Sequence, residues 1–593
     1  MFDPYALFPF EQVTKNSKII VYGAGRAGNN FVQQVTVTDY CTVICIVDKD
    51  TKKQKGFVKG LEVLLNFDLY DKVVVSPINF AIRNRIRDDL IQYGVPEEKI
   101  VVPSQNNLMY WALDGMLQYE NEKISYALTD SVSVDARTLM SSERLDIGIK
   151  WLLLRDIANG VDNKENKSLY ARHILAWTGG LESFSPTSST IKNGIEEYIS
   201  SAKKTLENIQ KNGFDKSKAV PVNGDNSVLD GTHRVASCIE LDTPIWVQKF
   251  NGLKNNGKDF KWYVDNGFNT EDLQRILRAY CELYTGQKGI VVFYGPAMEL
   301  WNYMQKQLEK QVNIVGYVEL DFEQNYLAFE TLIHDIYFYN FTWGDAHIDA
   351  KIKLLKMSPL KIRVLVISDE YGKCNDNLYG TLRDFKLKIR DISSFDFQSA
   401  ELGIHSTDSY SEFQHQKNVF LSPNNFKYIG YRFRVDYTKR FFELLDKLKV
   451  LCKTHNVNIS DICVVNSGVM EVLGLRETKD IDFVCLLSDV PNLSDVSRFS
   501  DVIELRDNLM QEKFGGISTD TLITDDNYHF IFYGIKFANL EIVREKKAQH
   551  TREKDIQDMR LIDLFTELAL VYDNKIAFQK GIYDEMTRRR MKR

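Results

Sequence analysis

A chain of 593 residues is too long for one hydrophobic core, and at roughly 100 to 200 residues per domain it argues for about three to five domains. Apolar residues make up 44% and charged residues 26%, with 33 glycines and 12 prolines, which excludes a disordered or collagen-like chain. Lys+Arg of 75 against Asp+Glu of 81 gives a net charge of −6, which excludes a protein-wide basic field for holding nucleic acid or an anionic membrane.

The opening MFDPYALFPF places an acid and a proline where a signal peptide needs basic and then unbroken apolar residues, and no later run reaches the roughly 18 apolar residues of a membrane span. A cytoplasmic protein without a membrane span is expected. The eight cysteines form no CxxC pair and no Cys/His group of zinc spacing, so they are expected to be reduced core thiols. The basic tail Arg588, Arg589, Arg590, Lys592 and Arg593 reads as a solvated end.

In chain order, KIIVYG at 18–23 is a short apolar strand running into GAGRAG and a helical pattern, and TVICIVDKD is a second strand. KVVVSP at 72–77, a helix over about 79–93 and KIVVP at 99–103 continue the alternation. Strands alternating with helices predict a doubly wound parallel sheet over 1–120. A helical linker is assigned to 121–167. Residues 168–285 hold a long polar helix at 191–213, a strand-turn-strand around 223–229, and DGTHRVASCIELDTPIWV. Another α/β unit, 286–430, opens at GIVVFYG and includes NIVGYVEL and KIRVLVISDE. The pair of openings at Gly23 and Gly295 hints at two Rossmann-type units. The last unit, 431–593, opens with a helix at 437–456 and turns to strands. The fold class is therefore α/β multidomain.

Three motifs carry chemistry. The first is Gly23, Gly25 and Gly28 between a strand and a helix, with Asp48 ending the next strand. Such glycines allow a tight turn and close approach of a diphosphate to a helix N-terminus, and an acid about 20 residues on can accept from a ribose hydroxyl. The same turn also occurs wherever a helix packs closely on a sheet. VYGAGRAGNNF with the following IVDKD and VVVSP resembles the N-terminal domains of bacterial surface-sugar enzymes over about 17–105, which implies nucleotide or nucleotide-sugar binding. A nicotinamide oxidoreductase ranks last, because no Tyr-x-x-x-Lys or catalytic His grouping follows.

The second is Asp230, Gly231, Thr232, His233 and Arg234 after a strand and before a helix. Gly231 lets the chain turn while His233, Arg234 and helix-start amides converge in a way that suits phosphate oxygens. A capped helix with a structural Arg–carboxylate pair is the competing reading. The motif resembles the ParB/sulfiredoxin fold over roughly 168–250, which implies a nucleoside triphosphate site, ATP or CTP. Thr232 stands where sulfiredoxin has its reactive Cys, which disfavours a sulfinic-acid reductase. A kinase-like role for Asp230 and His233 is compatible with the family.

The third is CVVNSGVMEVLGLRETKDIDFVCL at 463–486. Read as one extended strand, Asp480 and Asp482 share a face, as two-metal phosphoryl transfer needs, and Mg²⁺ or Mn²⁺ suits such carboxylates. Glu541 in GIKFANLEIV reads as a mid-strand acid between apolar residues, costly unless it faces a site or a cation. The constellation resembles the nucleotidyltransferase fold of polymerase beta, the minimal nucleotidyltransferases and the LicD-type phosphotransferases. That resemblance implies a Gly-Ser loop, a D-x-D pair and a third carboxylate. Ser467 and Gly468 occur in reversed order, and Arg476 and the Arg552–Asp558 pattern match the superfamily, although the latter also fits a solvated charge face. Two smaller groups, His405/Asp408/Glu412 and His334/Asp335 with Asp345/His347/Asp349, lie in the 286–430 unit and would give it a site of its own if they met in space.

Together these readings imply a Mg-dependent nucleotidyl- or phosphotransferase, in its fuller form a kinase and a nucleotidyltransferase on one chain. Its substrate would be a small sugar or polyol of bacterial surface-polysaccharide biosynthesis. The alternative is a nucleotide-sensing regulatory or abortive-infection protein with a degenerate nucleotidyltransferase domain. Nucleic acid is not expected as a partner.

Overall fold

The computed structural model describes residues 5–6, 8–77, 80–103, 108–109, 131–178, 194–250, 257–338, 344–374, 377–392, 402–431, 438–486, 488–489, 502–506 and 517–571. The basic tail lies outside them. The chain is mixed α/β and divides into two compact units, one made of 1–267 with 282–285 and the other of 268–281 with 286–593.

In the first unit, the N-terminal sheet follows from short β-branched runs. Strands β1 (Lys18–Tyr22), β2 (Thr42–Val47), β3 (Val58–Lys59), β4 (Lys72–Val75) and β5 (Ile100–Val101) pair in the order β3-β2-β1-β4-β5. Every pairing is parallel, as the alternation predicts. Helices α1 (Arg26–Thr38) and α2 (Phe80–Tyr93) are the crossovers. Residues Ile19, Val21 and Val74 point into a core with Phe31 of α1, whereas Ile20, Val73 and Val75 pack with Ile86 and Leu90 of α2, the two-faced burial that parallel strands require.

The same unit contains β6 (Val132–Val134), α3 (Asp146–Ala158), α4 (Lys164–Trp177), α5 (Ile195–Asn212), β7 (Val220–Asn223), α6 (Thr232–Glu240) and β8 (Ile245–Phe250). The sheet order is β6-β8-β7, with β8 parallel to β7 and antiparallel to β6. Helix α5 shows why a polar sequence still folds here. Tyr198, Ala202, Leu206 and Ile209 recur at helical spacing and are buried, Glu196 and Glu197 open it, Lys211 closes it, and Gly213 follows at φ 73°. The segment assigned above to a linker differs from expectation. From residue 132 on it supplies β6 and the helix α3, which packs on α5 and α6, because Ile147, Ile149, Leu153 and Leu154 of α3 are fully buried.

In the second unit, β9 (Lys288–Tyr294), α7 (Trp301–Leu308), β10 (Asn313–Asp321), α8 (Tyr326–Tyr337), α9 (Ala346–Leu355), β11 (Lys361–Ser368), α10 (Leu378–Ile392), β12 (Ile404–Ser406), α11 (Tyr410–Phe420) and α12 (Pro423–Tyr431) come first. The sheet order is β10-β11-β9-β12, and every pairing is antiparallel. The described strands therefore form an antiparallel sheet in place of the expected second Rossmann-type unit. The Gly295 turn serves close packing instead, since a Cβ there would lie 1.8 Å from the Pro359 carbonyl oxygen.

The unit continues with α13 (Lys439–Thr454), β13 (Ile462–Val465), α14 (Ser467–Val472), β14 (Ile481–Cys485), β15 (Ile503–Leu505), α15 (Thr519–Thr524), β16 (His529–Phe532), β17 (Ile535–Ala538), α16 (Leu540–Ala548) and α17 (Glu553–Val571). The five strands order as β15-β14-β13-β17-β16. The pairs β14/β15 and β13/β17 are parallel, and β13/β14 and β16/β17 antiparallel. Val464, Phe483, Phe530 and Phe537 are fully buried in its core, with Phe530 stacked 4.2 Å from Tyr428. None of the eight cysteines is in a disulfide. Among the described residues no helix is long and apolar enough to cross a membrane.

Candidate functional site

The most developed site lies in the first unit where β7 turns toward α6. Asn223 Oδ1 accepts from the amides of Asp225 (2.9 Å) and Ser227 (2.8 Å), which folds the chain back so that the Leu229 amide reaches Pro221. Gly231 follows at φ 89°, a left-handed conformation that costs a side-chain residue energy. A Cβ there would also lie 2.5 Å from the Arg234 guanidinium, so the glycine both makes the turn and leaves room for that cation. Arg234 is anchored on the Lys218 carbonyl, and His233 Nε2 is 2.8 Å from the Tyr170 hydroxyl. Burial pushes the Tyr170 hydroxyl pKa up, so it stays a neutral partner for the imidazole.

Gly231, His233 and Arg234 line a cavity of about 430 Å³. One wall is Asp230, Gly231, His233 and Arg234; facing residues include Lys204, Thr205 and Asn208 of α5, with Asp215 and Lys218. Three cations and the start of α6 thus border a space of nucleotide size, together with two carboxylates, Asp230 beside the turn and Asp215, which pairs with Lys218 at 3.4 Å. Positive charge together with a helix N-terminus favours phosphate oxygens. The structure brings together all four residues expected from the motif. It adds Lys204, Thr205 and Asn208, which sequence reasoning missed because a polar helix face gives no sign of what it faces.

In the C-terminal five-stranded sheet the expected residues are distributed differently. Asp482 is on β14, opposite Val465 of β13 and Glu504 of β15, but Asp480 sits in the turn just before that strand, where its carbonyl accepts from the Thr478 hydroxyl at 2.7 Å. Glu541 is not on a strand. The chain leaves β17 at Ala538, and Glu541 falls in the first turn of α16, bonded to Lys427 Nζ (3.0 Å) and the Tyr428 hydroxyl (2.8 Å). Burial pushes its carboxyl up, but Lys427 and the hydrogen bonds outweigh this and hold it below the usual range. Arg476 is bound through Nε and an Nη atom to the two oxygens of Asp558 at 2.7 and 3.1 Å, which commits it to a structural pair.

The Ser467–Gly468 pair also has a different meaning. Asn466, just before Ser467, has φ 57° and ψ −126°, a strained conformation of the kind that clusters at functional sites. A glycine-like turn residue followed by serine is thus supplied by Asn466 and Ser467. Gly468 is a packing residue, because a Cβ would lie 2.7 Å from Val464. The acid that sequence reasoning missed is Glu504, whose only signal is an acid between Ile503 and Leu505 in a three-residue strand.

Divalent metal does not fit this carboxylate group as it stands. Asp482 Oδ1 accepts from Arg506 at 3.1 Å (Nε) and 2.8 Å (Nη2), and Oδ2 accepts from Asn466 at 3.0 Å. Arg506 also reaches Glu504 at 2.9 Å. Among the described residues no three His, Cys, Asp or Glu side chains meet to hold a metal. Arg506→Gln is expected to expose both acids and raise Mn²⁺ affinity by at least about tenfold, about 1.4 kcal/mol, read by electron paramagnetic resonance. Unchanged affinity would show that Arg506 is not what keeps the ion out.

At the N-terminal sheet, Gly23 (φ 106°) closes the turn and Gly28 lets α1 approach it, since a Cβ would lie 1.9 Å from the Gly23 carbonyl oxygen. Gly25 has open space around it. Asp48 accepts from the Ala24 amide at 2.8 Å and the Asp50 amide at 2.9 Å, so its carboxylate ties the glycine turn to β2. In the antiparallel unit the smaller groups separate into two pairs, His405–Glu412 at 3.4 Å and His334–Asp349 at 3.2 Å. Asp408 pairs with Lys386, and Asp345 caps α9.

The family described as C2185-like, N-terminal, matches residues 15–101, the span of the parallel sheet. Comparison with curated proteins and with solved structures returned no match.

Proposed function

We propose that the protein transfers the terminal phosphoryl group of a nucleoside triphosphate, ATP or CTP, to a small sugar or polyol, with the Asp230–Arg234 pocket as its site. The observation that carries this reading is the convergence of Lys204, Lys218, Arg234 and the start of α6 on one nucleotide-sized cavity that also holds the carboxylates of Asp215 and Asp230. The cations neutralise phosphate oxygens, and the α6 amides hold them in place. The acceptor hydroxyl oxygen attacks the γ-phosphorus, the bond to the β,γ-bridging oxygen breaks, the hydroxyl proton passes to Asp230, and the nucleoside diphosphate leaves. Mg²⁺ bound together with the triphosphate would supply further charge neutralisation.

A second reading, nucleotidyl transfer in the C-terminal sheet, rests on Asp482 and Glu504 standing opposite each other on neighbouring strands. The two release different products. The four nucleoside triphosphates are assayed with Mg²⁺ and a panel of sugars and polyols, scoring diphosphate and pyrophosphate separately. Nucleoside diphosphate is expected, and Asp230→Asn is expected to lower its formation about 10²- to 10⁴-fold. Pyrophosphate would favour the second reading. Turnover of neither kind would favour a regulatory nucleotide-binding protein.

A further inference from the structure

Behind the pocket turn, residues that no motif points to form a buried ionic triad. Arg144 binds both oxygens of Asp146, at 2.8 and 2.9 Å, and Lys150 Nζ binds Asp146 Oδ2 at 2.7 Å. Their side chains are 9%, 2% and 9% exposed. The two cations also grip the pocket turn from both sides: Arg144 donates to the Val228 carbonyl, and Lys150 donates to the Thr232 hydroxyl at 2.6 Å. Asp230, between those two points, interacts electrostatically with both cations.

The triad itself carries one excess positive charge in the interior, and the Asp230 carboxylate faces it from the pocket side. Buried charge is screened far less than surface charge and acts over several ångströms. Here it lies at the start of α6, where it adds to the positive end of the helix dipole. Desolvating such a group is expensive.

We propose that Arg144, Asp146 and Lys150 form a cationic back wall that makes the pocket select ligands by phosphate charge, favouring a triphosphate over a monophosphate. The inference rests on the pocket reading above and extends it to a specificity device. Lys150 touches no ligand; it is a positioning residue that acts on the pocket through its charge.

The test measures binding of inorganic tripolyphosphate and monophosphate to the full chain by calorimetry, with Arg234→Met identifying the share that belongs to the pocket. Lys150→Met and Lys150→Gln are each checked for a native melting transition. Both are expected to weaken tripolyphosphate at least about tenfold and monophosphate less than about threefold, and Lys150→Arg is expected to restore the ratio. Thr232→Val, which removes the hydrogen bond and keeps the charge, is expected to leave the ratio near that of the unaltered protein. Equal weakening of both ligands, no weakening, or failure of both neutral variants to fold would each overturn the proposal in favour of a purely structural triad. If the unaltered protein binds neither ligand, the pocket reading falls as well. If it binds them with a ratio that the variants do not change, only the back wall falls.

Discussion

Asp558→Asn is expected to destabilise the second unit by about 3–5 kcal/mol, the usual cost of removing one partner from a buried ion pair. Asp558 is 2% exposed and receives Arg476 at 2.7 and 3.1 Å and Lys547 at 2.6 Å. Lys547 also binds Asp555 at 3.2 Å, and Asp555 binds Arg552 at 2.6 Å, so one carboxylate holds the segment before β14, helix α16 and helix α17 in one network. Neutralising it strands Arg476 and leaves Lys547 with half its counter-charge. Chemical denaturation followed by the signal of the second unit reads the loss. The control is Asp563→Asn, which breaks the surface pair with Arg544, whose partners are 45% and 42% exposed; it should cost less than about 1 kcal/mol. Equal effects of the two substitutions would mean that burial is not what gives the network its weight.

Gly28→Ala should disrupt the N-terminal sheet, while Gly25→Ala should be nearly silent. The added methyl at Gly28 would meet the Gly23 carbonyl oxygen at 1.9 Å and the Ser76 hydroxyl at 3.1 Å. The first of these is backbone and cannot rotate away, so α1 must move off β1, at a cost of about 1–3 kcal/mol or more. At Gly25 nothing lies within 4 Å and φ is −80°, which alanine adopts freely. Amide exchange over Lys18–Tyr22 and Lys72–Val75 separates the cases: protection should fall for Gly28→Ala only. A silent Gly28→Ala would show that the helix is not packed as closely as described.

The parallel sheet was legible because its signals are local: a β-branched run, a glycine turn, a helix, then another run. The Asp230–Arg234 turn was legible for the same reason, since five consecutive residues carry it. Strand direction was not, because GIVVFY reads identically in a parallel and an antiparallel sheet, and only the pairing with β11 and β12 decides. Glu541 was misplaced because Leu540 and Ile542 flank it and IKFANLEIV is mostly apolar, so it reads as one strand. The break is at Asn539, a helix-start residue, after which an acid in the first turn is favourable. Glu504 was missed because three residues of strand are too few for a periodic signal. Arg476 and Asp558 lie 82 residues apart, and a pairing over that distance leaves no trace in composition or spacing.

The grip of α3 on the pocket turn also has a consequence for how the site comes into being. Arg144 and Val228 are separated by 84 positions, and Lys150 and Thr232 by 82. Closing loops of that length is entropically slow to begin, although each further doubling costs only about 0.6 kcal/mol. The turn at Gly231 is thus held from outside its own neighbourhood. On a growing chain, α3 and the Arg144 just before it are made first, and the triad lacks its bonds to Val228 and Thr232 until the segment ending in α6 has been synthesised. The pocket therefore matures late, as a product of tertiary closure, and a nascent or truncated chain that stops before residue 232 has the helix that steadies the site but no site for it to steady.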